Sequence, residues 1–358
     1  MKMSALALLV CILLSGCAKK EIIDRIKILQ SVSLDVDQGE TFKASASYAS
    51  YKKNAQLQLL TAEAQTFSGV WLPHNMKSEE LVVYGQLRGI VISEKLARRS
   101  IQELVSTLLV DPVISNNTFI VIAKKEVTSI ISNGLKKPSF YMSELIKQNM
   151  NNGNTPSSNS HLLLDQYYGE GQDVYLPGLD LDDKGLLHLN GVGIFKGDKL
   201  RLWLTNQEAF FLKLLKDRSK TMTGSYEFST KQKDTINMKI LHGKRNISPK
   251  RNATAFISLK LQVNLKSLPK TKSPVVKSDL LEVKQQIENH FAGEVSDLLK
   301  KLQQNEVDPI GFGEIFRSKD RSWSEKEFMK NTYPNIKFEV KPEINILQTG
   351  VGISAEQR

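Results

Sequence analysis

The two cysteines of this chain, Cys11 and Cys17, lie close to its amino end, and this placement limits how the remainder can fold. The apolar segment from Ala5 to Leu14 precedes Cys17 and spans about half of the roughly 20 residues that a membrane-crossing helix needs. Such a segment is typical of a signal peptide. No cysteine follows Cys17, so an exported mature chain would contain no disulfide and would depend on its hydrophobic core for stability.

The tetrad Leu14-Ser15-Gly16-Cys17 resembles the bacterial lipobox, in which cleavage precedes a cysteine that carries a diacylglyceryl thioether. The tetrad stands where the apolar run ends and basic residues begin. This position favours a lipoprotein over the alternative, an ordinary secretory signal with an incidental cysteine. We therefore predict a lipoprotein signal peptide over residues 1–16 and lipid attachment at Cys17, with acyl chains that hold the protein stably to a membrane.

The chain is basic, with a formal net charge of +11 that falls to +10 when Lys2 leaves with the signal peptide. Nucleic acid is the usual partner of a basic chain, but an exported, lipid-anchored protein does not meet it. Anionic lipid headgroups and cell-wall polymers are the nearer partners. The alternative is a basic, solvated surface without a specific ligand.

Strands and helices alternate in residues 17–148, which predicts an N-terminal α/β domain. Alternating apolar residues after Ile26 and a following DQG turn indicate a β-hairpin. An apolar strand over 87–92 leads into one amphipathic helix that Ser93 caps and that ends at Asp111-Pro112. The strand in NTFIVIAKKEV and a short helix that ends at Gly134 follow.

Residues 149–161, NMNNGNTPSSNSH, are small and polar without periodicity, and they predict a flexible linker. Beyond them, the sequence indicates strands joined by DDKG and KGDK turns, followed by a helix in NQEAFFLKLLKD. We assign residues 149–220 to a middle domain. The alternative is that its strands pair back onto the N-terminal domain.

Residues 221–358 predict a C-terminal domain in which one long helix covers an antiparallel sheet. In AFISLKLQVNLKSL, apolar and polar residues alternate, which gives the strand one buried and one solvated face. A helix capped by Ser278 carries an apolar stripe to about Gln304, and FEVKPEINI adds a late strand. The predicted fold class is α+β or mixed α/β, in three domains whose mixed sheets are each covered by helices.

No catalytic, cofactor or metal site emerges from the motifs. The five histidines lack HExxH spacing, and no GxSxG is present. Asp180, Asp182 and Gly185 fit the first half of a calcium loop, but Lys184 and Gly191 stand where later ligands are required. We therefore predict no enzyme, no cofactor and no assured small-molecule ligand, and a function that depends on surfaces.

The densest basic stretch is HGKRNISPKRNA, residues 242–253. It is predicted to be an exposed loop between two strands, where four side chains could contact lipid phosphates or an acidic partner: Lys244, Arg245, Lys250 and Arg251. The alternative is a solvated hairpin. Asp308-Pro309 with Gly311-Phe312-Gly313 predicts a structural turn after the long helix, since glycines suit unusual backbone angles and close approach.

Several stretches in order along the chain resemble one family, the Ger(x)C lipoproteins, which are the C subunits of spore germinant receptors. The similarity runs from the lipobox nearly to Ile353, and it is carried by LLSGC, GQLRGIVISEKLARRSIQELVSTLLVDP with NTFIVIAKK, GVGIFKGDKLRLWLT, KKLQQNEVDPIGFGEIFR and YPNIKFEVKPEINILQTG.

The resemblance implies a non-enzymatic subunit on the outer leaflet of the spore inner membrane, assembled with integral-membrane A and B subunits into a complex that responds to nutrient germinants. It also implies a three-domain α/β architecture. A solute-binding lipoprotein of a membrane transporter is the alternative, and it would need a deep pocket with convergent polar groups. An envelope hydrolase ranks last, because it requires a catalytic constellation that the motifs do not provide.

Overall fold

The computed structural model describes residues 26–37, 39, 41–50, 56–135, 137–138, 140–217, 222–230, 233–250, 253–269, 271–274 and 276–349. The strands within this part of the chain are β1 (Ile26–Val36), β2 (Phe42–Ser50), β3 (Gln56–Ala64), β4 (Leu81–Val83), β5 (Gly89–Ser93), β6 (Phe119–Ala123), β7 (Tyr175–Leu181), β8 (Leu187–Lys196), β9 (Lys199–Leu204), β10 (Gly224–Ser229), β11 (Thr235–Lys250), β12 (Thr254–Ser267) and β13 (Lys337–Thr349).

The helices in the same part are α1 (Trp71–Met76), α2 (Glu94–Arg99), α3 (Gln102–Val110), α4 (Val127–Gly134), α5 (Tyr141–Asn152), α6 (Ser160–Tyr168), α7 (Asn206–Lys216), α8 (Lys277–Gln304), α9 (Phe312–Arg317) and α10 (Glu325–Glu327). Short 3-10 and π turns accompany them at Ser68–Val70, Phe328–Thr332 and Tyr333–Asn335. None of these helices is long and apolar enough to span a membrane.

The first sheet is mixed and has nine strands. Its path is β3-β2-β1-β5-β6-β7-β8-β9, and β4 pairs with the beginning of β1. The pairs β1–β5, β5–β6 and β6–β7 are parallel, while all the other pairs along this path are antiparallel. The sequences GIVIS of β5 and FIVIA of β6 are apolar apart from the terminal Ser93, because parallel strands at the centre of a sheet are buried on both faces.

The strands predicted for a middle domain belong to this first sheet. Strand β7 pairs in parallel with β6, and β8 and β9 extend the sheet from β7. The alternative, in which these strands pair back onto the N-terminal domain, is therefore correct. The domain boundaries at residues 149 and 221 stay predictions. The mixed α/β class is confirmed, with helices packed on two mixed sheets.

The flexible linker predicted over residues 149–161 is wrong at both of its ends. Helix α5 continues to Asn152, and α6 begins at Ser160. The side chain of Asn159 caps α6 by accepting a hydrogen bond from the Leu162 amide at 2.8 Å. The segment between the helices is also packed into the protein, since Thr155 and Ser158 are buried.

The helix predicted from Ser93 to Asp111 is interrupted. Ser93 does cap α2, because its hydroxyl accepts a hydrogen bond from the Leu96 amide at 3.0 Å. At Ser100, however, the backbone is extended, with φ −178° and ψ 138°, and α3 starts two residues later. The buried Ile101 donates its amide to the carbonyl of Asp198 at 2.8 Å, so a contact with the β8–β9 turn replaces a helical hydrogen bond at the break.

The second sheet has the order β10-β11-β12-β13. It was predicted to be antiparallel, and this is wrong for its last strand, because β13 pairs in parallel with β12. In the sequence, the 28 residues of α8 connect β12 to β13. The helix returns the chain to the starting end of β12, as a crossover helix does. The predicted Ser278 cap is also wrong, since α8 begins at Lys277 with Val276 as its N-cap residue.

The predicted apolar faces of β12 and α8 are confirmed. Alternate residues of β12 and one stripe of α8 are buried, namely Ile257, Leu259, Leu261, Val263 and Leu265 with Val283, Ile287, Phe291, Val295, Leu298 and Leu302. Helix α7 extends this core to the first sheet, because its Phe210 and Phe211 pack edge-on to Phe291 while Val192 and Ile194 of β8 join the same cluster. One of the hydrophobic clusters is therefore shared by the two sheets.

Candidate functional site

Buried polar groups concentrate where the two sheets meet, in a contact that we call the junction. It consists of residues 169–173, which precede β7, and residues 308–314, which follow α8. The Asp173 amide donates to the Asp308 carbonyl at 2.8 Å, and the Asp308 amide donates to the Asp173 carboxylate at 2.7 Å. The Glu314 amide donates to the Gly171 carbonyl at 3.0 Å. Backbone groups from distant parts of the sequence thus satisfy one another reciprocally.

The two chain segments of the junction approach so closely that glycine is required on both sides. A Cβ atom added to Gly313 would lie 2.6 Å from the Cα of Gly171, and Gly171 itself has a φ of +85°. Gly311 also lies in the left-handed region, with a φ of +87°, at the N-cap of α9. The turn predicted from the glycines around Phe312 is present, and these contacts explain why it needs them.

Asp308 is the centre of the junction. Its carboxylate is fully buried and accepts hydrogen bonds from the amides of Gly311 and Gly313, each at 2.9 Å. Burial raises the pKa of Asp308 to about 6, since loss of water disfavours the charge more than the backbone amides favour it, and the Asp173 carboxylate adds to the increase. Burial also raises the pKa of Asp173, although Lys196 at 3.2 Å opposes the change.

Two lysines of α7, Lys213 and Lys216, form buried hydrogen bonds at and near the junction. Lys216 donates to the Gln172 side chain at 2.8 Å and to the Ile310 carbonyl at 3.4 Å, which ties α7 to both segments of the junction. Lys213 is completely buried and donates to the carbonyls of Met150 and Thr155. Burial lowers the pKa of both lysines.

An ion pair in the same region explains why the segment after α5 is packed. Lys213 lies 3.8 Å from the Asp217 carboxylate, and Asp217 accepts hydrogen bonds from the amide and hydroxyl of Ser157 at 3.1 and 3.2 Å. Sequence reasoning missed these residues because lysines on an amphipathic helix normally lie in solvent. The available signal was the position of Lys213 within FFLKLLKD, where apolar residues precede and follow it.

The lipid-attachment residue Cys17 and the basic residue Arg251 lie outside the described residues. The exposed loop predicted for residues 242–253 is wrong, because β11 continues to Lys250 and pairs with β12 through Lys250 and Thr254. Lys244, Arg245 and Lys250 are therefore strand residues, with fixed side-chain directions.

Their environments differ. Arg245 points inward, is half-buried and donates to the Lys216 carbonyl at 3.3 Å, so it extends the junction. Lys250 pairs with Glu339 at 2.7 Å and lies 4.6 Å from the centre of the Phe256 ring. Lys244 is exposed and lies opposite Lys260 of β12. The three residues do not form one basic site.

Lys244 and Lys250 instead belong to a charged surface that we call the outer face. Its members are exposed side chains on the solvated side of β11, β12 and β13: Lys244, Lys250, Lys260, Glu339, Lys341 and Glu343. The register places Lys244 beside Lys260, and Lys260 pairs with Glu343 at 2.9 Å. This face offers a fixed pattern of both charge signs. The metal-binding residue types, in contrast, form no cluster of three or more anywhere in the described ranges.

The substitution Asp308→Asn tests the unusual ionisation at the junction. Because its pKa is raised in the folded chain, Asp308 contributes most to stability below its ordinary value of 3.8, and that contribution is lost as the pH rises through about 6. We expect the stability of the wild-type chain relative to the variant to fall by up to about 3 kcal/mol from pH 4 to pH 7. Urea unfolding at a series of pH values measures this difference.

Asp297→Asn is the control, because it removes a carboxyl that is 80% exposed on α8 and should leave the pH profile unchanged. A stability difference between the wild-type chain and Asp308→Asn that is constant from pH 4 to pH 7 would contradict the assignment.

Comparison with known proteins gives matches over nearly the whole chain. Residues 19–181 match the model of the spore germination protein N-terminal domain, and residues 190–350 match that of the spore germination B3/GerAC-like C-terminal domain. The spore germination protein GerQC of Bacillus cereus is 27% identical over 98% of this chain and 99% of its own length. The spore germination protein KC of Bacillus subtilis (strain 168) is 28% identical over 48% of this chain and 43% of its own length.

A solved structure has the same fold. The crystal structure of the GerBC protein aligns with a TM-score of 0.57 at 14% sequence identity, and it covers 87% of this chain and 96% of that protein. At this identity the likeness concerns the fold alone. Together, the two adjoining family models and the relative that aligns from end to end show that this chain belongs to the Ger(x)C family of spore germination proteins.

Proposed function

We propose that this protein is the lipid-anchored subunit of a spore germinant receptor. In this role it is needed for the response to nutrient germinants, and it acts by contact with integral-membrane A and B subunits in the spore inner membrane, without catalysis. The observation that carries the proposal is the family match over both halves of the chain. The lipobox that ends at Cys17 supports the anchor.

The geometry of the described residues is consistent with a protein that works through its surfaces. The junction and the shared core fix the two sheets to each other, so a contact that displaces one sheet also displaces the other. The outer face presents charged side chains at positions that the strand register determines. We infer that Lys244 and its neighbours on this face contact an acidic surface of a partner subunit.

The substitution Cys17→Ala tests the anchor. It removes the thiol that would carry the lipid, so we expect the protein to leave the membrane fraction of spores and the response to nutrients to weaken. Membrane fractionation and germination assays measure these outcomes. Cys11→Ala is the matched control, because it changes the other cysteine, which the proposed cleavage removes. Unaltered fractionation and germination of the Cys17→Ala spores would contradict the proposal.

The substitution Lys244→Glu tests the outer face. Because Lys244 is exposed and lies opposite Lys260, the new carboxylate can pair with Lys260 and the fold should be retained. We expect weaker association with the partner subunits, by about fivefold or less for one exposed charge. Affinity capture from detergent-solubilised spore membranes measures the loss. Lys184→Glu, in an exposed turn of the first sheet, is the matched control. Equal capture by both variants would exclude Lys244 from the contact.

A cleft in the first sheet favours the alternative function, a solute-binding lipoprotein. The cleft has a volume of about 720 Å³ and lies at the starting ends of β5 and β6. Arg88, Glu144 and Lys147 are among the polar residues that line it, and its size lies within the range of small-molecule sites. Arg88 packs over the Phe140 ring at 4.0 Å, which orients its guanidinium.

Thermal unfolding in the presence of amino acids and sugars distinguishes the two functions. A solute that binds the folded chain raises its unfolding temperature in proportion to the logarithm of the ligand excess. For the receptor subunit we expect no such increase. A saturable increase that Arg88→Ala abolishes would favour the solute-binding function instead.

A further inference from the structure

One end of the first sheet carries an unusual density of exposed apolar side chains, which we call the apolar end. More than half of the large hydrophobic residues that lie strongly exposed in the described chain belong to it: Leu72, Met76, Leu81, Leu109, Val110 and Val113. Met76 is 79% exposed and Val110 is 76% exposed. Single exposed apolar residues are normal, but a cluster of this kind marks a contact with another molecule or a membrane.

The first group of these residues is Leu72, Met76 and Leu81, and it lies near Ile26, where the described chain begins. Strand β4 pairs in parallel with the start of β1, and Leu81 lies opposite Ile26. Lys27 forms an ion pair with Glu79 at 2.6 Å, and this pair holds the segment between α1 and β4 beside the start of β1. The Asn75 side chain accepts a hydrogen bond from the Val82 amide at 2.9 Å and so fixes the end of α1, which carries Met76, to β4.

The second group, Leu109, Val110 and Val113, lies at the same end of the sheet. Strands β5 and β6 are parallel to β1, and α3 connects them, so the carboxyl end of α3 returns to the starting ends of the strands. A direct link joins the two groups. Trp71 of α1 stacks on Tyr84 at 4.1 Å, and a side chain at the next residue, Gly85, would contact Val113.

The proposed anchor lies close to this end. Ile26 follows Cys17 by nine residues, and a chain of that length spans at most about 30 Å in any conformation. The start of β1 therefore cannot move farther than this from the lipid that Cys17 would carry. The side chains around Ile26 are the part of the described protein that the tether holds nearest to the bilayer.

We infer that the apolar end is a membrane-contact surface, whose exposed Leu, Met and Val side chains enter the boundary between headgroups and acyl chains. The inference rests on the proposed lipid anchor at Cys17. A lipid surface is favoured over a protein partner because the apolar side chains surround the point at which the chain leads to the lipid. A single tether leaves a protein free to rotate, whereas a second contact at the apolar end orients it, with the carboxyl ends of β5 and β6 directed away from the membrane.

Site-specific fluorescence on the full, lipidated chain tests this inference. With Cys17 occupied by lipid, the mature protein has no free thiol, so Met76→Cys and Val110→Cys each provide one labelling site for an environment-sensitive fluorophore. Leu281→Cys is the matched control, because Leu281 is 57% exposed on α8 of the other sheet. The labelled proteins are reconstituted into phosphatidylcholine and phosphatidylglycerol vesicles with brominated acyl chains, and flotation confirms that they are anchored.

We expect brominated lipid to quench the labels at positions 76 and 110 and to leave the label at position 281 bright. Floating protein whose labels at 76 and 110 stay bright and accessible to iodide would overturn the membrane contact while leaving the anchor intact. Protein that does not float would lack the anchor, and both proposals would fall. Labels that are bright in vesicles but shielded from iodide in spore membranes would assign the apolar end to a protein partner and overturn the lipid assignment.

Discussion

The reciprocal hydrogen bonds between Asp173 and Asp308 determine how the two halves of this protein are related. Each residue gives its amide to the other, so neither segment of the junction can be satisfied alone. The glycines at 171 and 313 let the two backbones touch, and Lys216 bonds to both segments from α7. A rigid relation between the sheets follows, because the same region is continuous with the core that α7 and α8 share.

The buried charges near the junction depend on their partners. A buried ion pair such as Lys213 and Asp217 often gains little over an apolar pair of the same size, but loss of one partner costs about 3–5 kcal/mol because the other charge stays buried. These charges also form hydrogen bonds with the backbone of Met150, Thr155 and Ser157 and with the Ser157 hydroxyl. They hold a largely polar segment, which has few apolar side chains with which to pack, in one conformation.

Family membership gives the protein a role in spore germination, and the structure indicates which surfaces are available for it. The apolar end and the outer face lie on different sheets and differ in chemistry. In our proposal the first meets the membrane beside the anchor and the second meets an acidic surface of a partner subunit. Because the junction fixes the two sheets to each other, the position of the outer face then depends on the position of the apolar end.

The sequence by itself determined those local elements whose patterns need only a buried and a solvated side. The alternation in β12, the stripe on α8, the Ser93 cap and the first hairpin were all predicted correctly. The break at Ser100, the parallel pairing of β13, the burial of Lys213 and the Asp173–Asp308 contact were decided only by the tertiary structure. Each depends on a partner that is distant in the sequence, and the residues next to a polar side chain do not identify the partner that will replace water.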